Sequence, residues 1–269
     1  MPLFLKKKKK LYFVVENLSV KKKEDYLEIE KIFLLKLQTL EIQNCNNSIG
    51  NIKNYVTYNH KKTARDYLDR MNNNKTQCMI ISKKYDYNYW DGDRKYGYGG
   101  YRYIKNYNLN LAKKLIKDYS LNNNSKILDI GCGKGFLLYE IKKILKNAKL
   151  YGLDISRYAK KNAKKEIKNN IKIWDANNKI NFNNKYFDLV ISINTLHNLK
   201  LKNLYQCLQN IERVGKSKFI CVESYRNEKE QFNLQCWALT AETLIDIDSW
   251  KWLFSLSGYS GDYEFIYFE

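Results

Sequence analysis

Residues 127–135 read Ile127-Leu128-Asp129-Ile130-Gly131-Cys132-Gly133-Lys134-Gly135, and the fold is decided there. A short apolar run carries an acid and then breaks into glycines at every second position. A helical pattern, Phe136 to Leu145, follows at once. This predicts a buried parallel strand handing over to a helix through a turn where a Cβ would block a close approach and forbid positive φ. The helix N-terminus then offers free N–H groups to an electron-rich ligand atom. Nineteen residues after Gly135 a second strand, Lys149 to Leu153, ends in Asp154. A nucleotide-binding α/β fold sets an acid against the ribose at about that distance.

Outward from this stretch the alternation repeats. Strands are expected near residues 127–131, 149–154, 171–174, 187–193 and 217–223, with helical segments between most of them and a last strand near 262–268. That spacing predicts an α/β fold with a doubly wound, mostly parallel, Rossmann-like sheet. Three regions follow. Residues 1–62 form a basic N-terminal extension with a helical apolar face between Glu24 and Gln43 and an Asn-rich linker, Asn44 to Asn59. Residues 63–119 hold helices, Ala64 to Met71, Thr76 to Lys84 and Asn110 to Tyr119, around an aromatic-glycine loop. Residues 120–269 form the core.

The chain has 269 residues, 44% of them hydrophobic, enough for one large α/β core with an appendage. No apolar run approaches the ~20 residues that span a bilayer. The apolar stretch after Lys6–Lys10, Leu11 to Val15, falls short of the ~7–15 residues of a signal peptide. A cytoplasmic protein without membrane contact is expected. Six cysteines with no C-x-x-C pair, and two histidines in the whole chain, predict reduced thiols and no metal site. The net charge of +20 points toward nucleic acid, but only seven of the 48 basic residues are Arg. Sequence-reading surfaces favour the bidentate Arg fork, so Lys and Asn enrichment reads instead as the codon composition of an AT-rich genome.

Ligands of such sheets bind outside the carboxyl ends of the strands. Those ends carry Gly131 to Gly135, then Asp154, then Asp175-Ala176, then Asn194-Thr195-Leu196-His197-Asn198, then Glu223-Ser224-Tyr225-Arg226. A dinucleotide fingerprint would run G-x-G-x-x-G; this turn runs G-x-G-x-G with an Asp two residues before the first Gly. Ile127–Gly135 therefore resembles the glycine-rich motif of class I S-adenosylmethionine (SAM)-dependent methyltransferases, and Tyr151-Gly152-Leu153-Asp154 their ribose-binding acid. Trp174-Asp175-Ala176 stands where that family holds adenine, and Phe187 to His197 is similar to its fourth motif.

The resemblance implies SAM as cofactor. By it Gly131, Gly133 and Gly135 cradle the amino-acid end, with Asp129 binding or anchoring the turn. Asp154 takes both ribose hydroxyls, Asp175 the adenine amino group, and Asn194 lines the methionine part. His197 is a general base or a helix cap, and Glu223 a base or substrate ligand. With its flanks the chain looks like a bacterial subgroup carrying Gly92-Asp93-Arg94-Lys95-Tyr96-Gly97-Tyr98-Gly99-Gly100. In the family the segment before the first strand commonly folds over as a lid, so Asp91, Asp93, Arg94, Tyr96, Tyr98, Tyr101 and Tyr103 are expected to enclose the acceptor; a structural wrap on the sheet edge is the alternative. The C-terminal part shows one convincing strand where the family closes with two, and Phe232 to Trp237 is a candidate pocket wall.

The expected function is methyl transfer to oxygen or nitrogen of a small polar metabolite. An RNA- or ribosome-associated methyltransferase, with nucleic acid as the less favoured partner, and a non-catalytic SAM- or nucleotide-binding scaffold are the alternatives.

Overall fold

Lys126–Ile130 (β1), Lys149–Asp154 (β2), Ile171–Ile173 (β3), Phe187–Ile193 (β4), Gly215–Glu223 (β5) and Asp262–Ile266 (β6) form one sheet in the order β3-β2-β1-β4-β5-β6. Every neighbouring pair runs parallel. The computed structural model describes residues 48–60, 63–99 and 101–269. Each strand ordinal falls within two residues of its expected start, since buried parallel strands read as short apolar runs. After β5 the described residues hold one strand, β6, parallel to β5.

Before β1 lie Thr57–His60 (α1), Tyr67–Asn72 (α2), Lys75–Ser82 (α3), Tyr87–Trp90 (α4) and Leu109–Asp118 (α5). Phe136–Ile144 (α6), Arg157–Lys161 (α7), Lys165–Lys168 (α8), Leu201–Val214 (α9), Glu228–Trp237 (α10) and Ile247–Ser257 (α11) complete the order. Successive strand residues point to opposite faces. Ile127 joins the cluster under α5 and α6, with Ala112, Leu115, Leu138 and Ile141. Its neighbour Leu128 joins the opposite cluster under α9 and α11, with Leu204, Leu208, Ile211, Trp250 and Phe254. Strand order reverses between β1 and β4, so a crevice opens above their carboxyl ends.

The amino-terminal boundary differs from the expectation. The described residues fall in one compact unit, and the stretch expected as linker runs, from residue 48 on, along the outer edge of β6. Lys53 N–H donates to Tyr263 O at 2.8 Å, and Tyr263 N–H donates to Asn51 O at 3.1 Å. The buried Glu264 carboxylate then accepts from the backbone N–H groups of Tyr55 (2.8 Å), Val56 (2.9 Å) and Thr57 (2.7 Å). It caps α1 with groups that would otherwise lack partners. The Lys runs and the helix expected over Glu24–Gln43 lie outside the described residues.

Candidate active site

The glycine turn is shaped by backbone conformation. Gly131, Gly133 and Gly135 have φ of 75°, 53° and 71°, in the left-handed region that only glycine enters freely. Close approach adds a second constraint: a Cβ on Gly131 would overlap the Thr195 side chain, and one on Gly133 would come within 2.7 Å of the Trp90 ring. The turn is thus clamped between the β4 exit and the loop before β1. Gly131 N–H donates to Leu153 O at 2.7 Å, tying it to β2.

Asp154 ends β2 and is nearly buried. Its carboxylate accepts from Gly133 N–H at 2.7 Å and from Ser156 N–H at 2.8 Å, so it anchors the turn and keeps lone pairs toward the crevice. Burial raises its pKa, and those two N–H bonds work against the rise. Asp129 is also buried, and burial first, then the nearby Asp154, pushes its carboxyl up to about 7. The turn is anchored through Asp154. The cap of α7 is Ser156, whose Oγ accepts from Ala159 N–H at 2.9 Å.

One cavity of about 950 Å³ joins these groups to the rest of the site. Asp129, Gly131, Gly133, Asp154, Asp175 and Asn194 line one half. Trp174 lines it as well, and its Nε1–H is buried without a hydrogen-bond partner among the described residues. Gly135 is not in the wall; it carries the chain into α6, and a Cβ there would press on Ile167 at 2.7 Å. Three carboxylates, positive-φ turns and an orphan indole donor suit a cationic ligand with a hydroxylated and an aromatic end. The residues present therefore fit SAM.

His197 and Glu223 stand at the seam of the cavity. His197 Nε2 lies 3.5 Å from Glu223 Oε2. Its Nδ1 accepts from Glu223 N–H at 3.4 Å, which leaves the ring proton on Nε2, toward the carboxylate. Burial lowers the His197 pKa, against the pull of Glu223. The ring is neutral with its lone pair engaged, so the free lone pairs at the seam belong to Glu223. His197 does not cap α9, whose first turn has no side-chain cap.

Of the loop residues expected over the acceptor, Arg94, Tyr98 and Tyr101 line the other half of the cavity. Tyr98 OH accepts from Leu239 N–H (2.6 Å) and Thr240 N–H (3.0 Å), fixing its ring against the chain after α10. Asp91 is set back from the wall: it takes Lys134 Nζ at 2.6 and 2.8 Å and Tyr158 OH at 2.8 Å. Burial pushes the Asp91 carboxyl up, but Lys134 and Tyr158 outweigh it and hold the group below its usual value. Asp93 accepts from Lys95 N–H at 2.9 Å at the start of a short 3₁₀ turn, Arg94–Tyr96, and neither Asp93 nor Tyr96 reaches the cavity. Tyr103 turns to Glu140, at 2.7 Å.

Among the wall residues not expected as site groups are His60, Arg65, Tyr85 and Trp90. Trp90 Nε1–H donates to Ser156 Oγ at 2.9 Å, so the aromatic-glycine loop is pinned to the turn after β2. Trp237, at the end of the segment expected as pocket wall, is indeed in the wall. Among the described residues no cluster of three or more His, Cys, Asp or Glu is disposed to hold a metal, and no helix is long and apolar enough to cross a membrane.

The methyltransferase-domain family matches residues 121–258. Over 114 residues the chain is 34% identical to the phosphoethanolamine N-methyltransferase of Plasmodium falciparum (isolate 3D7), a stretch covering 41% of this chain. The chain thus spans about two-fifths (42%) of the length of the curated relative it matches. It is similar to the YcgJ protein of Bacillus subtilis (15% identity, TM-score 0.44, 54% of this chain and 66% of that one). It is also similar to a SAM-dependent methyltransferase from Aquifex aeolicus (24% identity, TM-score 0.33, 39% of this chain and 58% of that one).

Proposed function

The chain belongs to the methyltransferase-domain family, with SAM as its cofactor, and from that premise we propose that it methylates a nitrogen or oxygen of a small polar metabolite. One observation carries the reading: a single cavity joins the cofactor half to a second half walled by Tyr85, Tyr98, Tyr101, Arg65, Arg94 and Trp237, with Glu223 at the seam. A concave wall of this kind, aromatic with a few convergent polar groups, suits a small molecule. The resemblance to an N-methyltransferase favours nitrogen.

SAM, when bound, supplies a methyl group on a sulfonium, a leaving group that needs no metal and no covalent nucleophile. The chain's own part is to align and to handle a proton. Asp154 would take the ribose hydroxyls on the lone pairs left over from Gly133 and Ser156. Asp175 and the Trp174 indole would hold the base, and Asp129 and Asn194 the amino-acid end. Holding both reactants in line contributes up to ~7–11 kcal/mol of barrier reduction in well-oriented systems. An ammonium acceptor must lose a proton before its nitrogen has a lone pair to attack with. Glu223 is the acceptor for that proton, and His197 positions it. The loop of the bacterial subgroup, through Arg94 and Tyr98, forms the wall that excludes water.

Calorimetric titration of the full chain with SAM and, separately, NAD tests the cofactor half. Micromolar SAM binding that Asp154→Ala removes is the expected result. A folded protein that ignores SAM would sink the proposal.

A further inference from the structure

The acceptor half of the cavity is unusually rich in cations that lack a counter-charge. Arg65, Arg70 and Arg94 all lie against the Trp237 ring, at 5.4, 4.3 and 5.3 Å from its centroid. Arg70 is accounted for: it is buried, and it donates to Lys95 O at 2.9 Å and Gly97 O at 2.9 Å, which makes it a strut of the loop. Arg65 and Arg94 also donate to backbone carbonyls, Arg65 Nη1 to Thr63 O at 2.9 Å and Arg94 Nη1 to Gly97 O at 3.2 Å. Unlike Arg70 they line the cavity, and neither forms an ion pair among the described residues. Burial lowers the Arg65 pKa, against the pull of the Tyr67 hydroxyl and, through its field only, of Glu223.

Arg65 and His60 also leave donors unmatched. Arg65 Nη2 lies 2.9 Å from His60 Nε2. A guanidinium can only donate, so Nε2 must be the accepting nitrogen and the ring proton sits on Nδ1. Burial first, then the Arg65 charge, lowers the His60 pKa to about 3, which keeps the ring neutral in that tautomer. His60 Nδ1 and Arg65 Nε are both buried without a hydrogen-bond partner among the described residues. Two orphan N–H donors and two uncompensated guanidiniums thus share one stretch of wall. Unmade hydrogen bonds of this kind are costly, and native structures hold few of them.

We infer that the acceptor carries an anionic group, a phosphomonoester or a carboxylate, which is held by Arg65 with His60 behind it and Arg94 opposite. The inference rests on the methyltransferase reading for the word acceptor. Its chemistry rests on the wall alone. Arg65 Nη1 and Nη2 are engaged with Thr63 O (2.9 Å) and His60 O (3.3 Å), so Arg65 offers an oxyanion its Nε–H and its charge. The planar fork of Arg94, which donates from Nη1 to Gly97 O at 3.2 Å, supplies the second contact. Glu223 lies at the seam, so an acceptor with its anion on Arg65 presents its opposite end to the carboxylate and to the cofactor half. The wall would select molecules that carry an anion at one end and a nucleophilic nitrogen or oxygen at the other.

The test is titration of the 269-residue chain with inorganic phosphate and, separately, with acetate at constant ionic strength, with and without SAM. Saturable one-to-one binding of phosphate, weakened at least tenfold in Arg65→Gln and at least threefold in Arg94→Gln, is expected for a phosphomonoester site. The same pattern with acetate identifies a carboxylate site. Lys251→Gln on α11, away from the cavity, should bind as the wild type does. Absence of saturable binding by either anion overturns the inference. So does unchanged binding in both arginine variants, or an equal loss in Lys251→Gln, which would mark bulk charge attraction. Arg94 is exposed, so Arg94→Gln carries the test if Arg65→Gln does not fold. The SAM titration in the same samples reports on the enzyme reading separately: anion binding without SAM binding would leave the subsite standing and remove the methyltransferase proposal.

Discussion

The two halves of the cavity are built by opposite means. The cofactor half is made at strand ends: three glycines with positive φ, the carboxylates of Asp129 and Asp154, and the β4 exit with Asn194 at φ 53°. The acceptor half is made by side chains from segments far apart in the chain, His60 and Arg65, the loop from Tyr85 to Tyr101, and Trp237. One half is acidic and rests on backbone geometry; the other is cationic and aromatic and stands on top of the sheet. The first is therefore inseparable from the fold, while the second can be altered with the fold intact. Substitutions on either side can break that contrast.

The largest effect is expected at Gly131. Gly131→Val forces a β-branched residue to a φ of 75° and drives its side chain into Thr195. The backbone strain costs ~1–3 kcal/mol, and the overpacking a further ~1–3 kcal/mol. Chemical denaturation should show a stability loss of roughly that combined size, and SAM binding should fall below detection. If the variant melts as the wild type does and still binds SAM, the cofactor half is not a product of the backbone.

Glu223→Gln sits at the seam and separates chemistry from folding. The amide keeps the shape, and the backbone N–H that His197 Nδ1 accepts is untouched. Proton handling by a positioned group is worth ~10²–10⁴-fold in rate. Single-turnover methyl transfer should slow by about that factor, with SAM affinity and melting temperature nearly unchanged. A rate close to wild type would mean that the acceptor reaches the site already deprotonated.

This contrast also explains what could be read in advance. Strand–glycine turn–helix units and strand-terminal acids are local patterns, with spacing fixed by the strand and turn. Gly131, Gly133, Asp154, Asp175 and Asn194 can therefore be placed at the crevice from their positions at the strand ends, whereas Gly135, in the same motif, lies outside the wall. The acceptor wall has no such spacing. Arg65 and Trp237 meet at 5.4 Å although 172 positions separate them. The aromatic loop was visible as an anomaly of composition, but which of its residues turn inward depends on contacts with other elements. Tyr98 points in because its hydroxyl is held by Leu239 and Thr240, whereas Asp91 turns back to Lys134 and Tyr158. The Asn-rich stretch before α1 read as linker because Asn favours loops. Its attachment depends on Glu264, an acid inside a strand some two hundred residues away, for which the sequence holds no signal.

A smaller effect, in affinity and pH, should come from Asp129. Its carboxyl is raised from 3.8 to about 7, by burial and then by Asp154, so the folded protein holds this proton more tightly than the unfolded chain. The contribution to stability is complete below about pH 4 and is lost as pH rises through about 7. A cation in the cofactor half reverses the preference by favouring the ionised acid. Without SAM, melting temperature should fall between pH 5 and 8; with SAM, affinity should rise over the same window. Asp129→Asn should flatten both trends. A pH-independent affinity in the wild type would remove Asp129 from the cation's surroundings.

The smallest effect is expected at the clasp between the halves. Lys134 belongs to the glycine turn and Asp91 to the loop, and their ion pair at 2.6 Å has Lys134 buried and Asp91 about one-fifth exposed. Lys134→Met removes the pair but leaves Asp91 its bond to Tyr158 and keeps an apolar stem in the same space. A partly solvated pair with a surviving partner contributes about 1 kcal/mol. The melting temperature should therefore drop by only a few degrees. Because Asp91 lies next to Trp90, whose ring covers Gly133, freeing the loop should weaken SAM binding several-fold and anion binding at Arg65 less. If anion binding suffers more than SAM binding, the clasp serves the acceptor wall rather than the turn, and the line between the halves must be redrawn to place the loop wholly on the acceptor side.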